Sequence, residues 1–463
     1  MSQRNNKQHR SESAAKAAPA DEWASLKYIT GFGGEVKSEV LEGALPPVGN
    51  TPQKCNYGLY AEQINGTAFT KVRHENRRTW CYRIKPSAEH DPFQPVAADY
   101  APHLCDECDE GVPDQMRWMP PPIPSSTAKD SKSVNFVQGM SVYCGAGDSS
   151  MKAGIRCYVY TCNASMVNES FSSSDGDMLI VPQCGTLNIT TEFGRMQVPS
   201  GFIAVIQRGI RFSVAVPAEG ARGYVCEVFD SQFELPPLGA IGANGLSNPR
   251  DFETVTAWYE DRDASWTHYQ KFTGRLFSHG IKYSPFNVAA WHGNYAPYRY
   301  DLAKFCVINS VSYDHLDPSI FCVLTAQTAE KGVACCDFVI FPPRWMVQEN
   351  TFRPPYYHRN TMSEFMGNIR GVYEAKTDGG FLPGGATLHS PMAGHGPAAD
   401  VHAKASNAKL APMPPDENAL AFMFESVYMM KMSKHALTHM RDQNYNQCWQ
   451  GFPKHFNPAK QEP

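Results

Sequence analysis

The sequence lacks long hydrophobic runs, a strong excess of one charge and a dense cluster of cysteines. Its longest apolar stretches, such as "GFIAVI" and "DFVIF", are far shorter than the ~18 residues of a membrane-spanning helix. The formal net charge is only −4. Nucleic acid and membranes are therefore not expected partners, because binding to nucleic acid or to an anionic membrane favours a clustered basic surface.

We also expect no secretory leader. Residues 1–22 are polar, without the apolar core of a leader, so we expect a disordered tail there and a cytoplasmic protein. The 14 cysteines lack the spacing of a disulfide scaffold, and we expect reduced thiols that are mostly buried.

What the chain does contain is a long series of short strand-like segments. Its 463 residues, 42% hydrophobic, suffice for about two or three domains. Proline-rich segments at 45–52 and 119–133 are predicted loops, the second a long surface loop or linker. Beyond it, β-branched and aromatic runs alternate with Gly, Pro, Asn and Asp, which is typical of an antiparallel sandwich or barrel. The order of these runs indicates a jelly roll of the cupin kind. The paired histidines of a metal-binding cupin are missing from it, so we expect this sheet to be structural.

Three further stretches complete the fold prediction. Residues 235–252 are rich in Gly, Pro and Asn and are expected as coil, and residues 252–277 are interpreted as a short helical or mixed segment. Strands return after about residue 300, and the last element starts like a strand and ends like an amphipathic helix. We predict a mainly β protein with an N-terminal β-sandwich domain (23–302), a smaller β-rich C-terminal domain (303–456) and a tail (457–463).

Histidines concentrate in the C-terminal part of the chain. Six of the 15 lie between residues 292 and 402, namely His292, His315, His358, His389, His395 and His402. His358 and Glu364 follow the stiff pair Pro354–Pro355, and we expect Tyr356 and Tyr357 to anchor this segment by burial. A helix would put two residues six apart on opposite faces, so His358 and Glu364 converge only if the chain between them bends or is extended.

A second segment with metal-binding potential is the glycine- and proline-rich ribbon 379–397, which carries His389 and His395. Such a ribbon allows the backbone to approach a site closely. Two imidazoles and one carboxylate on one face of a metal leave other coordination positions open, which is the pattern of non-haem Fe(II) oxygenases. One carboxylate leaves Fe(II) with a net charge of +1, which a phenolate would neutralise. The alternative is a core or hydrogen-bonding role for these side chains.

Long motifs along the chain resemble one family. In order, they are "YITGFGGE" (28–35), "NYGLYAEQINGTAFT" (56–70), "IGANGLSNPRDFET" (241–254), "FNVAAWHGNYAPYRYDLAKF" (286–305), "FPPRW" (341–345), "FRPPYYHRN" (352–360), "MSEFMG" (362–367), "GGFLPGG" (379–385) and "HGP" (395–397). These motifs are similar to those of the homogentisate 1,2-dioxygenases, from about Lys27 to Phe456. The sequence departs from the family at Ala393 and Gly394, where the family tends to have Thr-Pro.

The resemblance implies a function and a set of site residues. The implied reaction uses Fe(II) to insert both atoms of dioxygen into homogentisate, giving maleylacetoacetate in tyrosine and phenylalanine breakdown. The family's iron ligands fall on His358, Glu364 and His395, and its catalytic base on His315. Tyr373, His389 and His395 are implied in substrate binding. The resemblance also implies a hexamer built from two trimers.

Two other functions stay open at this point. One is ring cleavage of a related hydroquinone acid such as gentisate, and the other is a non-catalytic cupin-like binding protein. Some further motifs have a structural interpretation. They are the pair His435 and His439, which lacks the Glu of a zinc-protease helix, and the isolated Cys105–Cys108 pair. We expect His292 to be structural or to border the site, and Glu425 to pair with an arginine.

Overall fold

The computed structural model describes residues 20–125, 132–373, 375 and 380–460. Most of the predicted tail 1–22, part of the predicted linker 119–133 and the last residues of the tail 457–463 lie outside these residues. Four short α-helices occur in the described part, and they are α1 (Ala20–Ala24), α2 (Phe136–Gly139), α3 (Ala399–Ser406) and α4 (Lys434–Thr438). None of the helices in the described residues has the length and hydropathy needed to cross a membrane.

Strands make up most of the regular structure. The first part of the chain contains β1 (Tyr28–Thr30), β2 (Val36–Glu39), β3 (Tyr60–Asn65), β4 (Arg78–Arg83), β5 (Gln94–Pro95), β6 (Cys108–Glu110), β7 (Met116–Trp118) and β8 (Met140–Asp148). The middle part contains β9 (Ala153–Cys162), β10 (Glu169–Ser173), β11 (Asp177–Cys184), β12 (Leu187–Thr191), β13 (Gly194–Val198), β14 (Phe202–Ile206), β15 (Phe212–Ala215) and β16 (Ala221–Val228).

The remaining strands complete the sheets. Between residues 250 and 302 they are β17 (Phe252–Val255), β18 (Trp266–Phe272), β19 (Arg275–Ile281), β20 (Val288–Gly293) and β21 (Tyr298–Asp301). After residue 302 they are β22 (Cys322–Gln327), β23 (Ala334–Phe341), β24 (Ser363–Arg370), β25 (Ala386–His389), β26 (Leu420–Ser426) and β27 (Lys431–Ser433). Together they confirm the prediction of a mainly β protein with antiparallel sheets.

The strands form four sheets. The largest has ten strands in the order β1-β17-β21-β14-β11-β16-β9-β8-β27-β6, and a seven-stranded sheet has the order β13-β12-β15-β10-β18-β19-β5. A small sheet contains β2-β20-β4-β3, and a six-stranded sheet contains β22-β23-β26-β24-β25-β7. Among these strands β10 and β18 pair in parallel, unlike the antiparallel pairs around them.

The ten-stranded sheet lies between two hydrophobic cores. In β16, Tyr224 and Cys226 belong to the core shared with the six-stranded sheet, whereas Val225 belongs to the core shared with the seven-stranded sheet. This alternation follows from the period of two residues in a strand. Because both faces of the central sheet are covered, its strands are nearly continuous apolar runs, such as Phe202–Ile206 in β14.

The prediction of a helical or mixed segment at 252–277 is wrong. The structure has β17 and the hairpin β18–β19 there. Thr273 and Gly274 both have positive φ, 48° and 71°, and they connect the paired residues Phe272 and Arg275. A two-residue loop with positive φ at both positions matches the right-handed twist of the flanking strands. The hairpin signal was therefore the dipeptide Thr-Gly, which periodicity alone does not detect.

The six-stranded sheet positions the predicted site residues. Its strands come from the C-terminal part of the chain except β7, which pairs with β25 through Met116–Leu388 and Trp118–Ala386. In the ten-stranded sheet, conversely, β27 pairs with β6 and β8. The two predicted domains thus exchange strands across residue 302.

Candidate metal centre

Glu364 lies at the centre of the candidate site. It is the second residue of β24 and is 5% exposed. The neighbouring strands place His389 of β25 and Glu425 of β26 directly opposite it. A charged carboxylate at such a buried position requires strong partners, because burial disfavours the charged form.

His358 and His395 reach Glu364 from two loops that pair with each other. The backbone N–H of His358 donates to the carbonyl of His395 at 3.0 Å, and the reverse bond measures 3.1 Å. Nε2 of His395 lies 3.1 Å from Oε2 of Glu364, and Nε2 of His358 lies 3.6 Å from Oε1. One ligand atom from each of the three residues lies within 4.8 Å of the other two.

The other ring nitrogen of each histidine is held by the backbone. Nδ1 of His358 lies 2.9 Å from the carbonyl of Tyr356, and Nδ1 of His395 lies 3.1 Å from the carbonyl of Ala393. A carbonyl oxygen only accepts, so Nδ1 carries the proton in both rings. Nε2 can therefore donate to Glu364 only while the ring is protonated, and in the neutral ring Nε2 is the nitrogen that binds a metal.

Glycine permits the close approach of the ribbon to the His358 segment. A Cβ at Gly396 would lie 2.6 Å from Cδ1 of Tyr357, closer than van der Waals contact allows. Gly384 has φ of +88°, and a Cβ there would collide with the guanidinium of Arg222. The ribbon therefore needs glycine at these two positions to deliver His389 and His395 to the site.

The surroundings of Glu364 and Glu425 shift the pKa values of these two carboxyl groups in opposite directions. Burial alone would raise the pKa of Glu364, but hydrogen bonds from His358, His389 and His395 hold the pKa well below its ordinary value. The hydrogen bond to Glu364 in turn raises the pKa of His358. Burial, and secondarily the charge of Glu364, raises the pKa of Glu425 to about 7. Glu364 is therefore the permanent anion of the pair.

The donor set fits a divalent transition metal. Two imidazole nitrogens and one carboxylate oxygen from three converging side chains are the ligands of the 2-His-1-carboxylate pattern, which leaves further coordination positions for other molecules. These three atoms lie close together, so a single cation placed between them would contact all three.

A cavity of about 460 Å³ adjoins this cluster. His315, Tyr373 and His389 line it together with the three candidate ligands, so all the predicted site residues border one space. The ring of Tyr373 packs edge-on against Phe341 and Phe381, with centroids 5.6 and 5.8 Å apart. The volume lies within the range of small-molecule sites.

Some residues that the sequence singled out lie elsewhere. His292 is in β20 and stacks on Tyr82, and it does not line this cavity, so of the two expectations for His292 the structural one fits. His435 stacks between His103 and His439 near α4, with centroids 3.7 and 4.6 Å apart. Burial lowers the pKa of His435 to about 4, so that ring is neutral at pH 7.

Two sequence expectations near the site are wrong. Tyr356 and Tyr357 were expected to anchor the His358 segment by burial, yet they are 46% and 42% exposed. Glu425 was expected to pair with an arginine, but its hydrogen-bond donor among the described residues is Nδ2 of Asn360, at 2.9 Å. The prolines and the backbone pairing with His395 hold the segment instead.

Three residues around the centre were missed by the sequence analysis. Asn360 donates to Glu364 Oε1 at 3.3 Å as well as to Glu425. Gln115 accepts from the N–H of Ser390 at 2.6 Å and donates to the carbonyl of Ala393 at 2.9 Å. Tyr445 contacts Nε2 of His389 at 3.0 Å. Only Asn360 lies inside a recognised motif, "YYHRN", so it alone had a sequence signal.

Comparisons with known proteins extend over nearly the whole chain. A family model described as "Homogentisate 1,2-dioxygenase N-terminal" matches residues 27–302, and one described as "Homogentisate 1,2-dioxygenase C-terminal" matches residues 303–456. A homogentisate 1,2-dioxygenase of Dictyostelium discoideum is 55% identical over 432 residues, covering 93% of this chain and 98% of the relative. The Homo sapiens enzyme of that name is 54% identical over 446 residues, covering 95% and 99%.

One solved structure of a differently named enzyme is only distantly similar. A Bacillus subtilis oxalate decarboxylase matches with a TM-score of 0.27 and 12% identity, over 70% of this chain and 81% of that chain. At this level the match adds nothing to the assignment.

A mainly β chain in which two imidazoles and one carboxylate converge beside a cavity has the features of a metal-dependent enzyme. The matched segments and the high identity specify which one. The chain belongs to the homogentisate 1,2-dioxygenase family. The resemblance to this family and the assignment as a dioxygenase are thereby confirmed.

Proposed function

We propose that the protein converts homogentisate and dioxygen to 4-maleylacetoacetate, inserting both oxygen atoms and opening the aromatic ring. The observation that carries this proposal is the convergence of His358, Glu364 and His395 beside a cavity of about 460 Å³. Family membership supports the substrate, because relatives at 54–55% identity bear the name homogentisate 1,2-dioxygenase.

In this proposal the metal is Fe(II), held by His358, Glu364 and His395. Bound iron would provide a spin-allowed path for triplet dioxygen to react with a closed-shell ring and would lower the pKa of a phenol bound to it. The protein supplies the geometry. Before a metal binds, Glu364 is anionic because the neighbouring rings of His358, His389 and His395 hold its pKa well below the ordinary value, and its strand β24 lies inside the six-stranded sheet.

His315 is the proposed proton acceptor for the substrate hydroxyl. A phenol has a reference pKa of ~10 and an imidazole one of ~6.5, so direct transfer between them is uphill by about 5 kcal/mol. The base therefore acts only on a phenol that is already acidified. Nδ1 of His315 lies 2.7 Å from the carbonyl of Leu316 and so carries the proton, which makes Nε2 the basic nitrogen.

Tyr373 and His389 are the proposed substrate contacts beside His395. Tyr373 lines the cavity and its hydroxyl would donate to the acetate group of the substrate. His389 donates from Nδ1 to Glu364 Oε2, at 3.3 Å, and would lie near a ring hydroxyl while it orients the carboxylate. We also propose a cytoplasmic hexamer built from two trimers.

The test of the function is oxygen uptake by purified protein reconstituted anaerobically with Fe(II). We expect equimolar consumption of oxygen and homogentisate, with appearance of maleylacetoacetate, and much slower uptake with gentisate. Faster uptake with gentisate would identify a related ring-cleaving enzyme instead. A protein that binds no stoichiometric iron and consumes no oxygen would be a cupin-like binding protein.

Tyr445→Phe tests the support of the metal centre. The Tyr445 hydroxyl donates to Nε2 of His389, whose Nδ1–H then points at Glu364, so its loss should loosen the carboxylate. We expect roughly a 10- to 100-fold loss in iron affinity or kcat/KM. Iron titration and oxygen uptake measure both quantities. Tyr428→Phe, whose hydroxyl contacts Asp230, is the matched control and should be near wild type. Equal effects of the two substitutions would contradict a role for Tyr445 at the site.

A further inference from the structure

The candidate ligand His395 is delivered to the metal centre by a short loop outside the sheet. β25 ends at His389, and residues 390–394, which we call the ligand loop, lead from there to His395. Met392 in this loop has φ of +60°, a left-handed conformation that residues with a side chain rarely adopt. Gly394 directly precedes the ligand. Such a loop needs support from another part of the chain to hold the imidazole in one place.

The support comes from Gln115, which directly precedes β7 in the N-terminal part of the chain. The antiparallel register of β7 with β25 places Gln115 opposite His389, on the same face of the sheet as Glu364. The strand behind it is well packed. Trp118 of β7 is 1% exposed, and its indole N–H donates to the carbonyl of Ala436 at 2.6 Å.

Gln115 binds the ligand loop at both ends. Its Oε1 accepts from the backbone N–H of Ser390 at 2.6 Å, and its Nε2 donates to the carbonyl of Ala393 at 2.9 Å. A donor and an acceptor are both used, so the orientation of the amide is fixed. The Ser390 hydroxyl donates in return to the carbonyl of Val112 at 3.2 Å. Residues 112–115 and the ligand loop are thus joined by three hydrogen bonds.

One of these bonds bears directly on the ring of His395. Its Nδ1 donates to the carbonyl of Ala393, at 3.1 Å, which is the same oxygen that accepts from Gln115. A carbonyl oxygen has two lone pairs and can accept both bonds. Gln115 therefore holds the acceptor that orients the imidazole and keeps the proton on Nδ1, which leaves Nε2 as the nitrogen for a metal.

We propose that Gln115 is a positioning residue of the metal centre and acts through the ligand loop on His395. The inference rests on the proposed role of His395 as a metal ligand. Gln115 is absent from the described residues that line the cavity, so it does not act by touching the substrate. All three candidate ligands follow residue 303, so through Gln115 the N-terminal domain sets the metal affinity of a site whose ligands belong to the C-terminal domain.

Gln115→Met tests this role, because methionine keeps the length of the side chain and forms neither bond. We expect iron affinity to fall by about 10-fold or more in an anaerobic titration, as for other groups that orient metal ligands. In the metal-free protein, backbone hydrogen exchange in residues 386–398 should become faster, because Ser390 N–H loses its acceptor. Gln115→Asn is one methylene too short to reach both partners and should show the same losses.

Gln197→Met is the matched control. Gln197 is also half-buried, and its Nε2 donates to Oδ1 of Asn188 at 3.2 Å in the seven-stranded sheet. This variant should keep the iron affinity and the exchange rate of the wild type. Equal iron affinities in Gln115→Met and Gln197→Met overturn the inference alone, if the wild type binds iron. A wild-type protein that binds no stoichiometric iron overturns the proposed function as well.

A second substitution in the ligand loop tests whether Gln115 acts by restraining it. Gly394 does not have positive φ, and a Cβ there would meet only Cγ of Arg359, at 4.0 Å, so alanine fits. Alanine leaves the free loop fewer conformations to lose. Gly394→Ala should therefore recover about 2- to 5-fold of the iron affinity lost in Gln115→Met. No recovery in the double variant would overturn the proposal that Gln115 acts through the loop.

Discussion

Glu364→Ala is expected to abolish stoichiometric iron binding and turnover together. The carboxylate is the only anion among the three proposed ligands, and its oxygens lie 3.1 to 3.6 Å from ring nitrogens of His358, His389 and His395. Its removal deletes a ligand and also the charge that orders the rings. The effect should therefore exceed the roughly 10- to 100-fold loss that follows from removing an outer-shell partner.

Metal analysis of anaerobically prepared protein and oxygen uptake measure this prediction. His358→Ala and His395→Ala should give the same result, since each removes one of the three donors. Glu330→Ala, at an exposed position, is the matched control and should keep iron and activity. Full iron and normal turnover in any one of the three ligand variants would contradict the assignment of that ligand.

The stretch around His358 shows how much of the site local sequence can predict. Pro354 and Pro355 indicate an extended approach. The strand that begins at residue 363 and holds Glu364 was not predicted. The six-residue spacing is compatible with convergence because the chain between the two residues is not helical. The partner of this stretch could not be predicted, because the backbone pairing of His358 with His395 joins two loops without a pairing signal.

Contacts between distant parts of the chain could not be predicted from the sequence. Gln115 binds the ribbon at Ser390 and Ala393 across more than 270 positions. β7 is likewise distant in sequence from β25, its neighbour in the six-stranded sheet. A three-residue strand carries too little pattern to reveal its neighbour, and its register is set by tertiary packing.

The strands themselves were easier to predict than their arrangement. β-branched and aromatic runs identified the elements of the central sheet, whose residues are buried on both faces. The hairpin β18–β19 was missed because its turn residues, Thr273 and Gly274, are a less common pair than Asn-Gly. The last predicted helix shortened to one turn, Lys434–Thr438, with the Ser433 side chain capping it.

The unexpected neighbour of the centre is Glu425. Its position opposite Glu364 follows from the pairing of β24 with β26, which joins residues 61 positions apart in sequence. Two carboxyl groups side by side cannot both ionise easily, and burial with the charge of Glu364 raises the pKa of Glu425. Asn360 bridges the two carboxyl groups, because its Nδ2 donates to both.

His315→Ala is expected to retain iron and lose rate. His315 lines the cavity but is not among the residues that converge on Glu364, so the metal should bind as in the wild type. Loss of a positioned base typically costs about 10²- to 10⁴-fold in rate. We expect this loss in kcat rather than in KM, because the imidazole acts on the proton and other groups hold the acetate.

Iron content, kcat and KM distinguish this outcome from a structural defect. His315→Gln keeps much of the side-chain volume without a base and should be nearly as slow as His315→Ala, whereas a packing role would let it recover. His74→Ala, at an exposed histidine that does not line the cavity, is the matched control and should leave kcat unchanged. A near-normal kcat in His315→Ala would remove this residue from the role of base, and the proton would then have to leave through another group lining the cavity.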